Sequence, residues 1–268
     1  KKPRKCKAKV VTTIHNYLFP ELSNYYGIFF SYILGISWLI FWKRFDKIFV
    51  LSEHGKAYYS KWIKNSRIIK VNNGIDIPIS DNFINEKDRI IISNLKEKYD
   101  YIIGIYSALI PRKNVDLVIR HISRSDKGAL IVIGSGPKRN YLIKYVRNLK
   151  IQSRVIFMGQ IPFAYKYNQV FDIFVMPSVH EGFGLSLIEA ALYSKKIVCS
   201  SFPVFKELFS DNEVTFYDYK NENSIDSAVR SALADNQKPL KAYQKAKEIY
   251  SEKVMANNYL IKYKELLI

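Results

Sequence analysis

Short runs rich in Val, Ile and Phe alternate along this chain with segments of helical period, and that alternation leaves few folds open. Residues 10–14, 47–51, 67–71, 101–106, 129–133, 155–158, 171–176 and 197–200 read as strands. Between them the spacing changes to about 3.6. Val115, Val118, Ile119 and Ile122 fall at i, i+3, i+4 and i+7 of one helical stretch. Leu142, Tyr145, Val146 and Leu149 repeat the pattern, with Pro137 suited to a first turn. Strands that alternate with helices imply parallel βαβ units, whose pockets open at the carboxyl ends of the strands.

A composition break runs from Asn72 to Asp100: Asn-Asn-Gly, then Asp-Ile-Pro, then charges of alternating sign. It divides the chain into residues 1–75, a linker at 76–99, a larger unit at 100–250 and a tail at 251–268. From Pro239 to Ile268 the chain is expected to run as one helix, with Tyr259, Leu260, Tyr263, Leu266 and Leu267 as its apolar stripe. Residues 22–42 carry no charge, are rich in aromatics, and are followed by Lys43 and Arg44. Three readings stay open for them: a core or interface helix, a helix docked on a membrane surface, and a bilayer span.

The chain of 268 residues has a formal net charge of +18, which attracts polyanions: nucleic acid, anionic membrane or phosphorylated small molecules. No zinc-finger spacing, ribonucleoprotein motif or long basic helix points to nucleic acid, so that partner is not expected. The two cysteines, Cys6 and Cys199, stand in unrelated contexts and suggest free thiols in a reducing compartment. No signal peptide is visible, so a cytoplasmic location is expected, peripheral on the inner face of the plasma membrane.

The densest chemistry lies at Pro177-Ser178-Val179-His180-Glu181-Gly182-Phe183-Gly184-Leu185, which runs on to Glu189-Ala190. An apolar strand leads in, a glycine turn follows, and an amphipathic segment leads out. That order offers unpartnered helix-start amides to an anion, with a carboxylate on each side for neutral hydroxyls. Gly182 and Gly184 would let the backbone approach a phosphate closely. Upstream, Arg112-Lys113 sits between a strand and a helix, where a cation can neutralise a diphosphate. Taken singly, these features have plain alternatives: solvated acids, a basic surface pair, a strand-to-helix turn.

Together the residues resemble the donor-binding signature of the family-4 retaining glycosyltransferases, in which two glutamates have seven residues between them in a setting of Pro-Ser, Glu-Gly-Phe-Gly and Glu-Ala. Gly134-Ser135-Gly136-Pro137, Val155-Ile156-Phe157-Met158-Gly159, Thr12-Thr13-Ile14-His15-Asn16 and Asn72-Asn73-Gly74 match further family segments. The resemblance implies the GT-B fold: α/β, two Rossmann-type parallel-sheet domains facing a cleft, here with an N-terminal acceptor-side domain that looks incomplete and a tail that packs back on it. It implies transfer of a sugar, with retention, from a nucleotide-diphosphate donor to a lipid-linked or polysaccharide acceptor. Glu189 would bind ribose hydroxyls and Glu181 the transferred sugar. Lys113 and the amides around Phe183, Gly184 and Leu185 would hold the diphosphate, and His15 would meet the donor sugar. Where the family usually has an arginine, five residues before Lys113, this chain has Ala108, and Arg112 is the candidate substitute. No Asp-x-Asp motif occurs, so metal-independent chemistry without a cofactor is expected. The alternative is a non-catalytic nucleotide-sugar-binding module that needs a partner or a further N-terminal segment.

Overall fold

A computed structural model describes residues 8–77 and 84–267, apart from the side chains of residues 24 and 25. Cys6 lies outside the described residues. The chain divides into two units, one of residues 1–74, 181–184 and 249–268 and another of residues 75–180 and 185–248.

The first unit is built on three parallel strands, β1 (Val11–Ile14), β2 (Lys47–Val50) and β3 (Ile68–Lys70), in the order β1-β2-β3. Helix α1 (Leu18–Trp42) joins β1 to β2, and α2 (Glu53–Tyr59) lies between β2 and β3. Alternation along β2 sorts the layers. Ile48 and Val50 pack with Leu18, Leu39, Trp42 and Tyr59 of the two helices. Phe49, on the opposite face, meets the rings of Tyr259 and Tyr263 at centroid distances of 5.2 and 5.6 Å. The uncharged stretch 22–42 is thus helical, but it starts earlier, at Leu18, and Gly27 breaks it with φ 72°. No helix among the described residues is long and apolar enough to cross a membrane, which removes the bilayer span from the three readings.

The second unit begins with α3 (Glu86–Lys98), inside the segment read as a linker from its alternating charges. Asn85 caps this helix by accepting from the Asp88 amide at 2.9 Å. There follow β4 (Tyr101–Tyr106), α4 (Val115–Ser123), β5 (Gly128–Ile133), α5 (Arg139–Asn148), β6 (Val155–Gly159), β7 (Ile173–Met176), α6 (Leu185–Leu192), β8 (Lys196–Ser200), α7 (Pro203–Leu208), β9 (Thr215–Tyr217), α8 (Ser224–Ala234) and α9 (Lys238–Ile249). The six strands are parallel, in the order β6-β5-β4-β7-β8-β9. Ile103, Ile105, Leu130, Val132, Ile173, Val175 and Val198 of the sheet form one core with α4, α5 and α8. The expected single tail helix is two, because the chain breaks after Ile249 and Ser251 caps a new helix, α10 (Glu252–Glu265).

Candidate functional site

Strand order decides where a ligand can enter the second unit. From β4 the sheet grows toward β5 and β6 in one direction and from β7 toward β8 and β9 in the other. Connections therefore diverge between β4 and β7, which opens a crevice at their carboxyl ends. The loop after β4 carries Ala108, Arg112 and Lys113, and the loop after β7 carries Pro177 to Gly184. The two loops are tied together: the Val179 amide donates to the Arg112 carbonyl, and Arg112 Nη1 donates to the His180 carbonyl, both at 3.0 Å. At least one Arg112 donor is thus committed to holding backbone. Lys113 is half-buried at the end of the 3-10 turn Pro111–Lys113, just before Asn114 turns left-handed at φ 49°.

Glu189 lies on α6 against the end of β4. Burial pushes its carboxyl up to about 6, partly opposed by a hydrogen bond from the Tyr106 hydroxyl. Burial keeps the Tyr106 phenol itself protonated, far above neutral pH. That hydroxyl accepts from Asn168 Nδ2 at 3.0 Å and stands 3.1 Å from the Ser186 carbonyl. Having one proton, it must share it between the carbonyl and Glu189. Asn168 is fully buried, and its Oδ1 has no partner among the described residues.

Next to this cluster is a cavity of about 390 Å³ lined by Tyr106, Ser107, Ala108, Gly134, Gln160 and Ile161, among others. It sits at the carboxyl ends of β4, β5 and β6. Backbone bonds lace its rim: Ser107 N to Ile133 O at 3.0 Å, Leu109 N to Ser135 O at 2.9 Å and Gly134 N to Gly159 O at 2.6 Å. Gly134 is required here, since φ is 138° and an added Cβ would come 1.9 Å from the Ser107 carbonyl oxygen. The Ser107 Oγ is buried without a hydrogen-bond partner among the described residues. A buried hydroxyl left unsatisfied at a cavity wall is a group waiting for a ligand or water.

Glu181, Gly182, Phe183, Gly184 and His15 belong to the first unit. Glu181 is 8% exposed. Gly182 lies so close to the end of β1 that a Cβ there would be 1.8 Å from the His15 carbonyl oxygen. Ser52 Oγ donates to the Gly182 carbonyl at 3.5 Å. Phe183 is buried and meets Tyr250 edge to face at 6.0 Å. The 181–184 loop is therefore seated on His15 and on the start of α2, while the His15 side chain stays exposed at the edge of an apolar pocket that also includes Leu18, Trp38 and Trp42. Leu185, 36% exposed, opens α6. Among the described residues no three His, Cys, Asp or Glu side chains are grouped to hold a metal ion.

Tyr106, Asn168 and Ser107 escape sequence reasoning. Tyr106 reads as the last residue of a strand, and only the three-dimensional crossing with α6 gives it Glu189 as a neighbour.

Comparison with known proteins gives the family and the fold. A family model described as Glycosyl transferases group 1 matches residues 86–249. The chain is 31% identical over 266 residues to the O-antigen biosynthesis glycosyltransferase WclY of Escherichia coli, a match that covers 97% of this chain and 72% of that protein. It is 32% identical over 153 residues to a Campylobacter jejuni enzyme named N-acetylgalactosamine-N,N'-diacetylbacillosaminyl-diphospho-undecaprenol 4-alpha-N-acetylgalactosaminyltransferase, covering 56% of this chain and 41% of that one. Among solved structures, Anabaena HepE in complex with UDP and glucose superimposes with a TM-score of 0.79 at 16% identity, over 96% of this chain and 72% of that one. Staphylococcus aureus TarM, in a complex that includes UDP, gives 0.75 at 17% identity over 97% and 52%. These two share the fold, an α/β architecture of the GT-B type in which the N-terminal sheet here is small.

Proposed function

Because the chain belongs to the glycosyl transferases group 1 family, we propose that it moves a sugar, with retention of anomeric configuration, from a nucleotide diphosphate to a lipid-linked or polysaccharide acceptor in cell-surface glycan synthesis. The observation that carries the donor half is Glu189. A carboxyl held near pH 6 by burial, beside a phenol that must share its proton, is tuned to accept hydrogen bonds from incoming hydroxyls. Ribose hydroxyls supply them. The base occupies the cavity beside Ser107 and Gln160, where the orphaned hydroxyl gains a partner.

The bond that breaks joins the anomeric carbon to a phosphate oxygen, so negative charge grows on the diphosphate. Lys113 and the amides of Phe183, Gly184 and Leu185 stabilise it where it develops, with Gly182 and Gly184 giving the phosphate close access. Arg112 acts mainly by holding the loop that carries these amides. Glu181 and His15 hold hydroxyls of the transferred sugar. The acceptor hydroxyl attacks from the face the diphosphate leaves, and a phosphate oxygen takes its proton. The chemistry proceeds without a divalent metal, since the sequence offers no Asp-x-Asp motif and Lys113 supplies the cation. We place the reaction at the cytoplasmic face of the plasma membrane.

Thermal unfolding with added UDP, GDP and their sugars tests the donor site. UDP-sugars come first, since HepE and TarM are captured with UDP. At least one should raise the midpoint in wild type and none in Glu189→Ala. If no nucleotide raises it, the reading fails. Turnover should survive EDTA, and the new linkage should keep the donor's anomeric configuration by NMR. The three-strand sheet of the first unit favours one second reading, a nucleotide-sugar-binding module that needs a partner. Stabilisation by nucleotide without turnover on any acceptor would select it.

A further inference from the structure

Helix α1 is inside out for a helix on the surface of a globular protein. After the break at Gly27, the buried residues are Ser31, Gly35, Leu39 and Trp42, spaced i, i+4, i+8 and i+11, of which Leu39 and Trp42 pack with the sheet. The Phe19 ring lies against Gly35, where an added Cβ would be 2.3 Å away. On the opposite side stand Phe29, Phe30, Ile33, Ile36, Ile40 and Phe41, each between 52% and 73% exposed. Only Ser31, Gly35, Leu39 and Trp42 of this stretch are buried, so most of its large apolar side chains face out, the reverse of ordinary amphipathic patterning. Isolated exposed apolar residues need no explanation, but a continuous face of this size marks a surface that is covered when the protein works.

We propose that this face docks on an anionic lipid surface. It deepens, and for its purpose rests on, the reading that the acceptor is lipid-linked. Three observations choose lipid as the occupant. First, the apolar face is rimmed by cations: Lys43 and Arg44 follow the helix, and Lys61 and Lys64 flank Trp62, all exposed. Trp62 packs on Phe19, with ring centroids 5.3 Å apart, and Phe19 in turn on the exposed Tyr32 of α1 at 5.2 Å. Tryptophan and lysine at the edge of an apolar patch match the headgroup layer, where rings and ammonium groups sit between oil and water. Second, the formal net charge of +18 complements anionic headgroups at longer range. Third, the length is right for lying flat. Residues 28–42 form a helix of roughly 22 Å at 1.5 Å per residue, short of the roughly 30 Å hydrocarbon core. One side of the helix is occupied by the sheet, so only the outer side enters, to a depth of roughly 5–10 Å.

Sedimentation with phosphatidylcholine vesicles, with and without phosphatidylglycerol, tests this, together with tryptophan fluorescence, to which the exposed Trp38 and Trp62 contribute. Wild type should bind the anionic vesicles at least tenfold more tightly than the neutral ones, with a blue shift. Ile33→Asp/Ile40→Asp should lose at least tenfold on both. Lys43→Glu/Arg44→Glu should lose binding on anionic vesicles alone. Both pairs change exposed side chains, so folding should persist, which a thermal melt verifies. Equal binding by the Asp variant, or no binding by wild type, overturns the proposal. So does a wild-type oligomer that the Asp variant dissolves while vesicles are ignored, which would make the face a contact between copies. Stabilisation by UDP-sugar, measured on the same variants, is independent of docking, so failure of the membrane proposal and failure of the donor reading give different results.

Discussion

Glu189 sits where its own charge is disfavoured. Burial raises its carboxyl from 4.5 to about 6, a shift that corresponds to about 2 kcal/mol. Since the folded value lies above the unfolded one, the folded state holds the proton more tightly. The penalty is absent below pH 4.5, grows as the pH rises through 6, and is fully present at pH 7. Glu189→Gln should therefore stabilise the ligand-free protein by about 1–2 kcal/mol at pH 7.5 and leave it unchanged at pH 4.5. Denaturant titration at the two pH values checks this. The same substitution should weaken UDP-sugar binding tenfold or more. In wild type, binding should fall as the pH drops below 6, because a protonated carboxyl accepts poorly. A UDP-sugar has no phosphate group titrating there, so calorimetry reads the protein. Gly182 makes a second prediction at this scale. Its Cβ would strike the backbone oxygen of His15, which cannot swing aside like a side chain. Gly182→Ala should cost about 1–3 kcal/mol and lower turnover more than it lowers nucleotide affinity.

Among the elements, the parallel α/β pattern was plain in the sequence because buried strands and amphipathic helices have different periods. What stayed hidden has physical causes. Strand β9 is three residues long and too short to show a period. Helix α3 looks like a charged linker because only Ile92 and Leu95 are buried. Strand β7 begins two residues later than its apolar run, since Phe171 turns to pack on Gly104 and Asp172 accepts from the Ile102 amide at 2.7 Å. The sequence named Glu189 but not its neighbours, because Tyr106 and Asn168 arrive from β4 and from the 3-10 turn Ala164–Gln169. The contact between α4 and α8 was equally invisible. Asp226 accepts from His121 Nδ1 at 2.6 Å and from Arg124 Nη1 at 3.1 Å. Burial opposes its charge, but these partners together hold the carboxyl below its usual range. Its contribution is therefore present above the ordinary carboxylate range and lost as the pH falls through it. Asp226→Asn should cost about 1–3 kcal/mol at pH 7 and much less at pH 3, by denaturant unfolding.

At the scale of the whole molecule, the two units differ in how much core they can build. The second has a six-stranded sheet covered by α4, α5 and α8, with residues such as Ile103, Leu130 and Val198 fully buried. The first has three short strands, and every residue of β1 is only half-buried. A smaller core leaves less hydrophobic stabilisation to offset chain entropy. Unfolding in urea should therefore show two transitions, with the first unit melting at the lower concentration. Trp38, Trp42 and Trp62 all sit in that unit, so tryptophan fluorescence should follow the early step and the main loss of far-ultraviolet ellipticity the later one. Lys113, Glu189 and the cavity at Ser107 all belong to the second unit. UDP-sugar should consequently move the later transition, by an amount that grows with the logarithm of its concentration above Kd. The early transition should respond to anionic vesicles, through α1, and to UDP-sugar only as far as His15 and the 181–184 loop hold it. A single transition reported alike by both signals would show that the units unfold as one. A nucleotide effect confined to the early step would place the donor on the wrong unit.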